Sequence, residues 1–304
     1  MSIPRKTILI ICAFFAIYVI WGSTYLLNKI VVTEVAPLYL ASIRFTTASI
    51  LIFAIAKILK LNLAINSKQL KNNIIAGFLF LVYGNGVFVW ALRYVDSGFG
   101  ALEASFQPLM VLAMMRIIDG KKIQTNSIIG ITLGIIGMYL LVSQQDLLFK
   151  ENSLLGIIMI FTCVISWSAG SLFVARADLG PSYFVNTGYQ MIISGIMLFI
   201  VSFLFGETWT SPLQWSGSAQ LSMGLLIVFG SIVAFTAFNY LLKEVSTEKV
   251  STSAFVNPVI ALLLGWYVLD ERLSGQSIIA AVTLLTGVYF INFKRSLRPR
   301  MHGR

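Results

Sequence analysis

Apolar residues in this chain fall into ten long runs separated by short polar stretches. The runs are Ile8–Leu27, Leu38–Leu59, Ile74–Leu92, Phe99–Ile118, Ile128–Val142, Leu154–Val174, Phe184–Phe205, Leu221–Leu242, Thr252–Leu269 and Ile278–Phe293. About 20 apolar residues in helix match a hydrocarbon core of roughly 30 Å. Inside lipid no water pairs the backbone N–H and C=O groups, so such runs must form helices. A transmembrane barrel needs short alternating segments instead, and these runs are continuous. The first run follows Arg5 and Lys6, as a signal peptide would, but it is too long and ends in Trp21-Gly-Ser-Thr with no small-x-small cleavage site. It therefore reads as the first of ten transmembrane helices in an all-α integral membrane protein.

Composition agrees. Apolar types make up 58% of the 304 residues and charged types 11%, where a soluble domain carries about a quarter charged residues. The net charge of +10 does not point to nucleic acid, because the basic residues sit in loops between apolar runs and form no basic stripe. Seventeen Lys and Arg, from Arg5 and Lys6 to Arg304, sort to one side of the ten runs; only Arg93, Lys150 and Arg272 sort to the other. By the positive-inside rule both termini are cytoplasmic. Tyr39, Tyr94, Trp209, Trp215, Trp266 and Tyr267 mark the outer edge as an aromatic belt. Cys12 and Cys163 lie within apolar runs and read as buried thiols.

The two halves resemble each other. Trp21 and Trp167, Arg44 and Gln190, Gly84 and Gly230, and Tyr94 and Tyr240 are each separated by 146 residues. After a short insertion the spacing is 150 and matches Pro108 with Pro258, Gly137 with Gly287, and Tyr139 with Tyr289. Residues 1–148 and 149–293 thus form two five-helix units, followed by a basic tail, 294–304. An odd number of helices per unit inserts the second copy upside down. Two inverted halves can rock to open a midplane site to either side in turn.

Trp21-Gly-Ser-Thr-Tyr, Pro37, Ile43-Arg44-Phe45, the block 98–108 (Gly-Phe-Gly-Ala-Leu-Glu-Ala-Ser-Phe-Gln-Pro), and Ser253-Ala-Phe-Val-Asn-Pro258 with Asp270-Glu271-Arg272-Leu273 carry a family likeness. Through them the chain resembles the EamA-type transporters of the drug/metabolite transporter superfamily over nearly its whole length. That resemblance implies two inverted five-helix repeats around a central cavity, lined by helices 1, 3, 4, 6, 8 and 9. It also implies gating by the 3–4 and 8–9 pairs, and export of metabolites, amino acids or drugs. Glu103 and Gln107 depart from the small or apolar residues expected at their places.

Glu103 is the acidic residue placed clearly within an apolar run, with Gln107 on the same helix face. An ionised carboxylate in hydrocarbon must be paired, hydrated or protonated. Glu103 is therefore a candidate proton or substrate-amine site; the plainer alternative is a helix-end carboxylate or a structural ion pair. Arg44 either binds a carboxylate or phosphate or braces Glu34 or Glu103, and the brace is favoured. Asn85, Asn239 and Asn257 either bind substrate or tie helices together. Trp21, Tyr25, Trp90 and Trp167 line the pathway or pack. Pro108 and Pro258 kink helices 4 and 9 in a manner suited to gating. Gly130-x-x-x-Gly134 and Thr283-x-x-x-Gly287 let backbones approach, within the monomer or across a homodimer.

No Walker-type loop is present, and His302 is the single histidine, so neither ATP hydrolysis nor a His-based catalytic or metal constellation can be built and no cofactor is implied. The expectation is a secondary transporter, not an enzyme, in a bacterial inner membrane. It exports a small amino-acid-like or drug-like molecule by alternating access, with proton coupling through Glu103. A channel-like or scaffold membrane protein is the alternative. Its partners are a small-molecule substrate, the lipid bilayer and protons.

Overall fold

The computed structural model describes residues 4–91, 94, 104–120, 122–143, 153–269 and 274–292, and its regular elements are all helical. Helix α1 comprises Arg5–Phe15, a π-helical segment Ala16–Ile20, and Trp21–Val31. Helix α2 is Pro37–Ile58. Helix α3 comprises Ser67–Gly77, a π segment Phe78–Val87, and Phe88–Ala91. Then come α4 (Gln107–Asp119), α5 (Thr125–Val142), α6 (Ser153–Arg176) and α7 (Tyr183–Leu204). Helix α8 comprises Gly217–Leu225, a π segment Leu226–Val233, and Ala234–Glu244. A short turn of helix, Thr247–Ser251, leads into α9 (Ser253–Leu269) and α10 (Gly275–Asn292).

Polar signals set the helix ends. Asn66 and Gln69 form a reciprocal capping box before α3, and Ser182 and Ser216 accept N–H bonds at the starts of α7 and α8. Gly120, with φ 63°, ends α4 in the left-handed conformation that a Cβ disfavours. Between these ends the outward faces are apolar: Ile50, Leu51 and Ile55 on α2, and Ile196, Phe199 and Phe203 on α7, are exposed. Water would penalise such faces; lipid does not. Eight helices are long and apolar enough to cross a membrane by length and composition: α1, α2, α3, α5, α6, α7, α8 and α10. Helices α4 and α9 contain 13 and 17 described residues.

Two seams join the halves. Ser42 Oγ donates to Gly195 O at 2.9 Å and Ser49 Oγ to Gly188 O at 2.8 Å, so rising numbers on α2 meet falling numbers on α7 and the helices run antiparallel. At the spacing of 146, Ser42 corresponds to Gly188 and Ser49 to Gly195. The two residue pairs are therefore images of each other, although both serine donors stand on α2. The α5–α10 seam repeats this logic. A Cβ on Gly130 would lie 2.6 Å from Gly287 O, and one on Gly137 would lie 3.1 Å from Ala280 O. At the spacing of 150 these pairs also exchange. Only glycine permits such close approach. The small residues of α5 and α10 thus pack within the monomer. Leu284, Gly287 and Ile291 face the seam, whereas Thr283 lies off it and turns its Oγ1 back to Ile279 O at 2.8 Å.

Candidate functional site

A π turn widens the helix and offsets its hydrogen-bond ladder, so backbone carbonyls become available to neighbouring helices. In this bundle they are taken up by side chains. Trp21 Nε1 on α1 donates to Gly230 O in the π segment of α8 at 3.1 Å. Ser166 Oγ and Cys163 Sγ on α6 reach Leu79 O and Tyr83 O in the π segment of α3, at 2.8 and 3.4 Å. With its amide nitrogen turned toward α1, Asn257 on α9 donates to Ile17 O at 3.0 Å and to Tyr18 O at 3.1 Å. The π segments of α3 and α8 contain Gly84 and Gly230, corresponding residues of the two halves.

The two tryptophans of the repeat meet where these segments converge. Trp21 and Trp167 lie edge to face with centroids 6.0 Å apart. Trp21 contacts Gly230, and a Cβ on Gly84 would lie 2.9 Å from the Trp167 ring. Each Trp therefore packs on the glycine of the opposite half. Phe80 and Phe238 complete the cluster: Phe80 lies 5.1 Å from Trp167, and Phe238 lies 5.0 Å from Trp21 and 5.4 Å from Phe80. These rings pack between α1, α3, α6 and α8, and α8 runs on from Phe238 to the end of the bundle that holds Glu244. At that end Lys6 Nζ pairs with Glu244 at 2.7 Å and Arg176 with Asp119 at 2.7 Å. Each pair joins one half to the other.

Arg44 lies on the far side of the rings. It stands seven residues into α2, about 10 Å from the helix start at 1.5 Å per residue. It is 7% exposed, donates Nε–H to Ser231 Oγ at 2.7 Å, and sits over the Phe45 ring at 5.3 Å. A Cβ on Gly230 would lie 3.0 Å from its Nη2 and 3.0 Å from Thr24 Cγ2. No described carboxylate pairs with it. Glu34, one of the two brace partners expected from sequence, instead accepts from Ser216 N at 2.9 Å and Ser216 Oγ at 2.6 Å. Those two bonds, the hydroxyl first, hold the Glu34 carboxyl below its ordinary pKa. Glu207 caps the start of α2 through Leu38 N and Tyr39 N, at 3.2 and 2.8 Å.

Gln190, the counterpart of Arg44, is fully buried in an amide network. Its Nε2 donates to Asn73 Oδ1 at 3.2 Å, and its Oε1 accepts from Asn239 Nδ2 at 3.1 Å. Asn239 also donates to Thr187 Oγ1, and Asn73 to Leu179 O.

The residues singled out from sequence divide accordingly. Trp21 and Arg44 meet at Gly230 in the π segment of α8, while Trp167 packs against Trp21 and on Gly84 in the π segment of α3. Asn239 and Asn257 are engaged in helix-to-helix bonds. Asn85 is half-buried in the π segment of α3, with no side-chain hydrogen bond to a described residue. Trp90 stands apart, against Phe205 at 4.3 Å. Gln107 opens α4 and is half-buried. Pro108 lies in the first turn of α4 after the turn at Ser105 and Phe106, where its missing N–H breaks no helical bond, whereas Pro258 lies inside α9. Only Pro258 therefore disrupts an intrahelical bond among the described residues. Glu103 lies outside the described residues; of Tyr25 the backbone alone, on α1, is described. Sequence reading missed Ser231, Thr24, Asn73 and Phe80. The pairing of Gly84 with Gly230 was the one signal that pointed to their neighbourhood.

Comparison with known proteins agrees with this architecture. The inner membrane transporter YedA of Escherichia coli K12, itself named as uncharacterized, is 34% identical over 97% of this chain and 96% of its own. The uncharacterized transporter YoaV of Bacillus subtilis is 23% identical over 93% of this chain and 96% of its own. A probable amino-acid metabolite efflux pump of E. coli K12 is 24% identical over 90% and 91%. A solved crystal structure shares the fold with a TM-score of 0.79 at 18% identity, covering 92% of this chain and 95% of that one. The EamA-like transporter family matches at residues 8–143 and again at 154–293, nearly the whole chain in two copies, and the chain belongs to that family.

Proposed function

We propose that the protein is a secondary transporter of a bacterial inner membrane that exports a small amino-acid-like or drug-like metabolite. It crosses the membrane ten times as two inverted five-helix repeats, 1–148 and 149–293, with both termini and the tail 294–304 cytoplasmic. The observation that carries this reading is reciprocity. Ser42 with Gly195 and Ser49 with Gly188, Gly130 with Gly287 and Gly137 with Ala280, Trp21 with Gly230 and Trp167 with Gly84 are all pairs that exchange when the halves exchange. Such exchange is expected of halves related by a pseudo-two-fold axis, the geometry on which alternating access depends.

In this reading the described conformation is closed on the cytoplasmic side. The aromatic cluster and the pairs Lys6–Glu244 and Arg176–Asp119 shut the inner half of the pathway. Opening inward must separate those pairs while seams elsewhere re-form. Arg44, Trp21, Trp167 and Asn85 contact the solute at mid-depth. Glu103 carries the coupling proton, with Gln107 beside it, and Pro258 supplies the bend for gating. The relative named as a probable amino-acid metabolite efflux pump supports this solute class and direction.

The test is counterflow in liposomes. Purified protein loaded with an unlabelled amino acid should accumulate the labelled one saturably, and an imposed proton gradient should change the rate. Glu103→Gln should abolish the gradient response and leave counterflow in place. Absence of saturable exchange for any metabolite in a broad panel would remove the transporter reading in favour of a scaffold, and non-saturable flux would favour a channel.

A further inference from the structure

We propose that Arg44 is the carboxylate-recognising group of the pathway, its two Nη nitrogens receiving the anionic end of the solute. The inference rests on the transporter reading and adds the chemistry of the substrate. Three observations carry it. First, Arg44 is more than nine-tenths buried, yet among the described residues its one side-chain hydrogen bond is Nε to Ser231 Oγ, and no carboxylate lies in ion-pair reach. Glu34 and Glu207, described acidic side chains on its side of the ring cluster, are satisfied by Ser216 and by the start of α2. A cation buried in a bundle without an anion is costly, and within a membrane it marks a ligand path by default.

Second, neither Nη nitrogen of Arg44 has a hydrogen-bond partner among the described residues. With Nε fixed on Ser231, the end-on Nη1/Nη2 edge of the guanidinium remains, a planar fork that matches the two oxygens of a carboxylate. Gly230 is what makes room for it: any side chain there would begin 3.0 Å from Nη2. The same glycine receives Trp21 Nε1, so the fork and the aromatic floor share one backbone anchor. Third, the equivalent place in the other half is neutral and satisfied. Gln190 has Asn73 and Asn239 as partners and no free valence comparable to that of Arg44. Charge appears on one half of a two-fold scaffold, as a solute with one anionic end requires.

The experiment uses the full chain in detergent micelles, its melting followed by tryptophan fluorescence at constant ionic strength. The probes are sodium acetate, L-leucine, L-leucinamide, sodium phosphate and sodium chloride. Acetate and leucine should raise the melting temperature saturably, and leucinamide and chloride should not. Arg44→Gln should weaken that apparent affinity about tenfold or more, the usual loss for a charge-assisted bidentate contact. Arg44→Lys keeps the charge but not the fork and should weaken it by a smaller factor; Gly230→Ala should weaken it by crowding Nη2. Should Arg44→Gln fail to fold, those two variants carry the test. Equal stabilisation of wild type and all variants, or of none of them, overturns the proposal. Phosphate stabilising in place of acetate overturns the carboxylate assignment. Anion binding that appears only in Glu103→Gln shows that Glu103 already occupies the fork and overturns it too. Liposome exchange separates this inference from the reading beneath it. Exchange of leucinamide but not leucine leaves a transporter and removes the anion site. Arg44-dependent acetate binding with no exchange of any probe leaves the anion site and removes the transporter.

Discussion

Arg44 and Gln190 occupy corresponding places in the two halves and live in opposite circumstances. Gln190 is neutral, and both ends of its amide are bonded within a buried network on α3, α7 and α8. Arg44 is charged, and among the described residues only its Nε has a hydrogen-bond partner. A neutral, satisfied group contributes to the fold. A buried cation with open valences subtracts from it, and its retention requires another use. The duplicated scaffold thus uses the two copies differently: one ties helices together, and the other carries a buried charge, the feature on which the proposed anion site rests.

The sharpest way to break that comparison is to replace both residues by leucine. Gln190→Leu should destabilise by about 2–4 kcal/mol, because Asn73 Oδ1 and Asn239 Nδ2 lose a buried partner. Arg44→Leu should leave the melting temperature unchanged or raise it, while abolishing exchange in liposomes. Detergent melting curves for both variants decide it: a large loss of stability from Arg44→Leu would make Arg44 a structural brace and erase the distinction.

A second contrast lies in the tryptophans. Trp21→Phe removes the donor to Gly230 O and should cost about 1 kcal/mol, whereas Trp167, whose ring packs on Gly84 and which donates no hydrogen bond to a described residue, should tolerate Phe at roughly half that cost or less. Equal costs would mean that the carbonyl freed by the π segment of α8 needs no partner.

The seam offers a test for sameness. Ser42→Ala and Ser49→Ala each remove one interhelical bond and should each cost about 0.6 kcal/mol. Unequal losses, read from detergent melting curves, would show that the two contacts of the seam differ in strength despite joining corresponding pairs of residues.

The smallest expected effect is a pH dependence at the loop joining α1 and α2. Glu34 has its folded pKa lowered by Ser216, so its stabilisation is present above its unfolded pKa, near 4.5, and is lost as pH falls through the folded value. Ser216→Ala should flatten the melting temperature slightly between pH 5 and 3 (an interval about the ordinary carboxylate range), and an unchanged profile would show that the contact is inconsequential. The carboxylate is exposed, which is why the effect is small.

Much of this was legible along the chain. Helix positions came from apolar length alone, and the structure follows them closely: Leu38–Leu59 appears as Pro37–Ile58 and Phe184–Phe205 as Tyr183–Leu204. The pairs Trp21/Trp167, Gly84/Gly230 and Arg44/Gln190 were identified as corresponding, and their reciprocal contacts then became interpretable. Other features were not legible. Arg44 was expected to brace Glu34 or Glu103; Glu34 bonds Ser216 instead, Glu103 lies outside the described residues, and the described partner of Arg44 is Ser231, 187 residues away. Pro108 was placed inside a helix and lies in a first turn. The π segments had no visible periodicity, because widening a turn by one residue barely disturbs an apolar run.

The sequence by itself determined the solvent, the number of apolar runs and the duplication, since each is written in local composition or in a fixed spacing. In lipid, any sufficiently long apolar run forms a helix whatever its neighbours are. Tertiary structure decided which polar atoms meet: which carbonyl the Trp21 indole finds, which glycine lets α5 touch α10, and which of two matched positions is enclosed in an amide network among the described residues. Those outcomes depend on distances between residues remote in the chain. A buried polar group is structural or available for binding according to whether its partner arrived, and only the packed bundle records that.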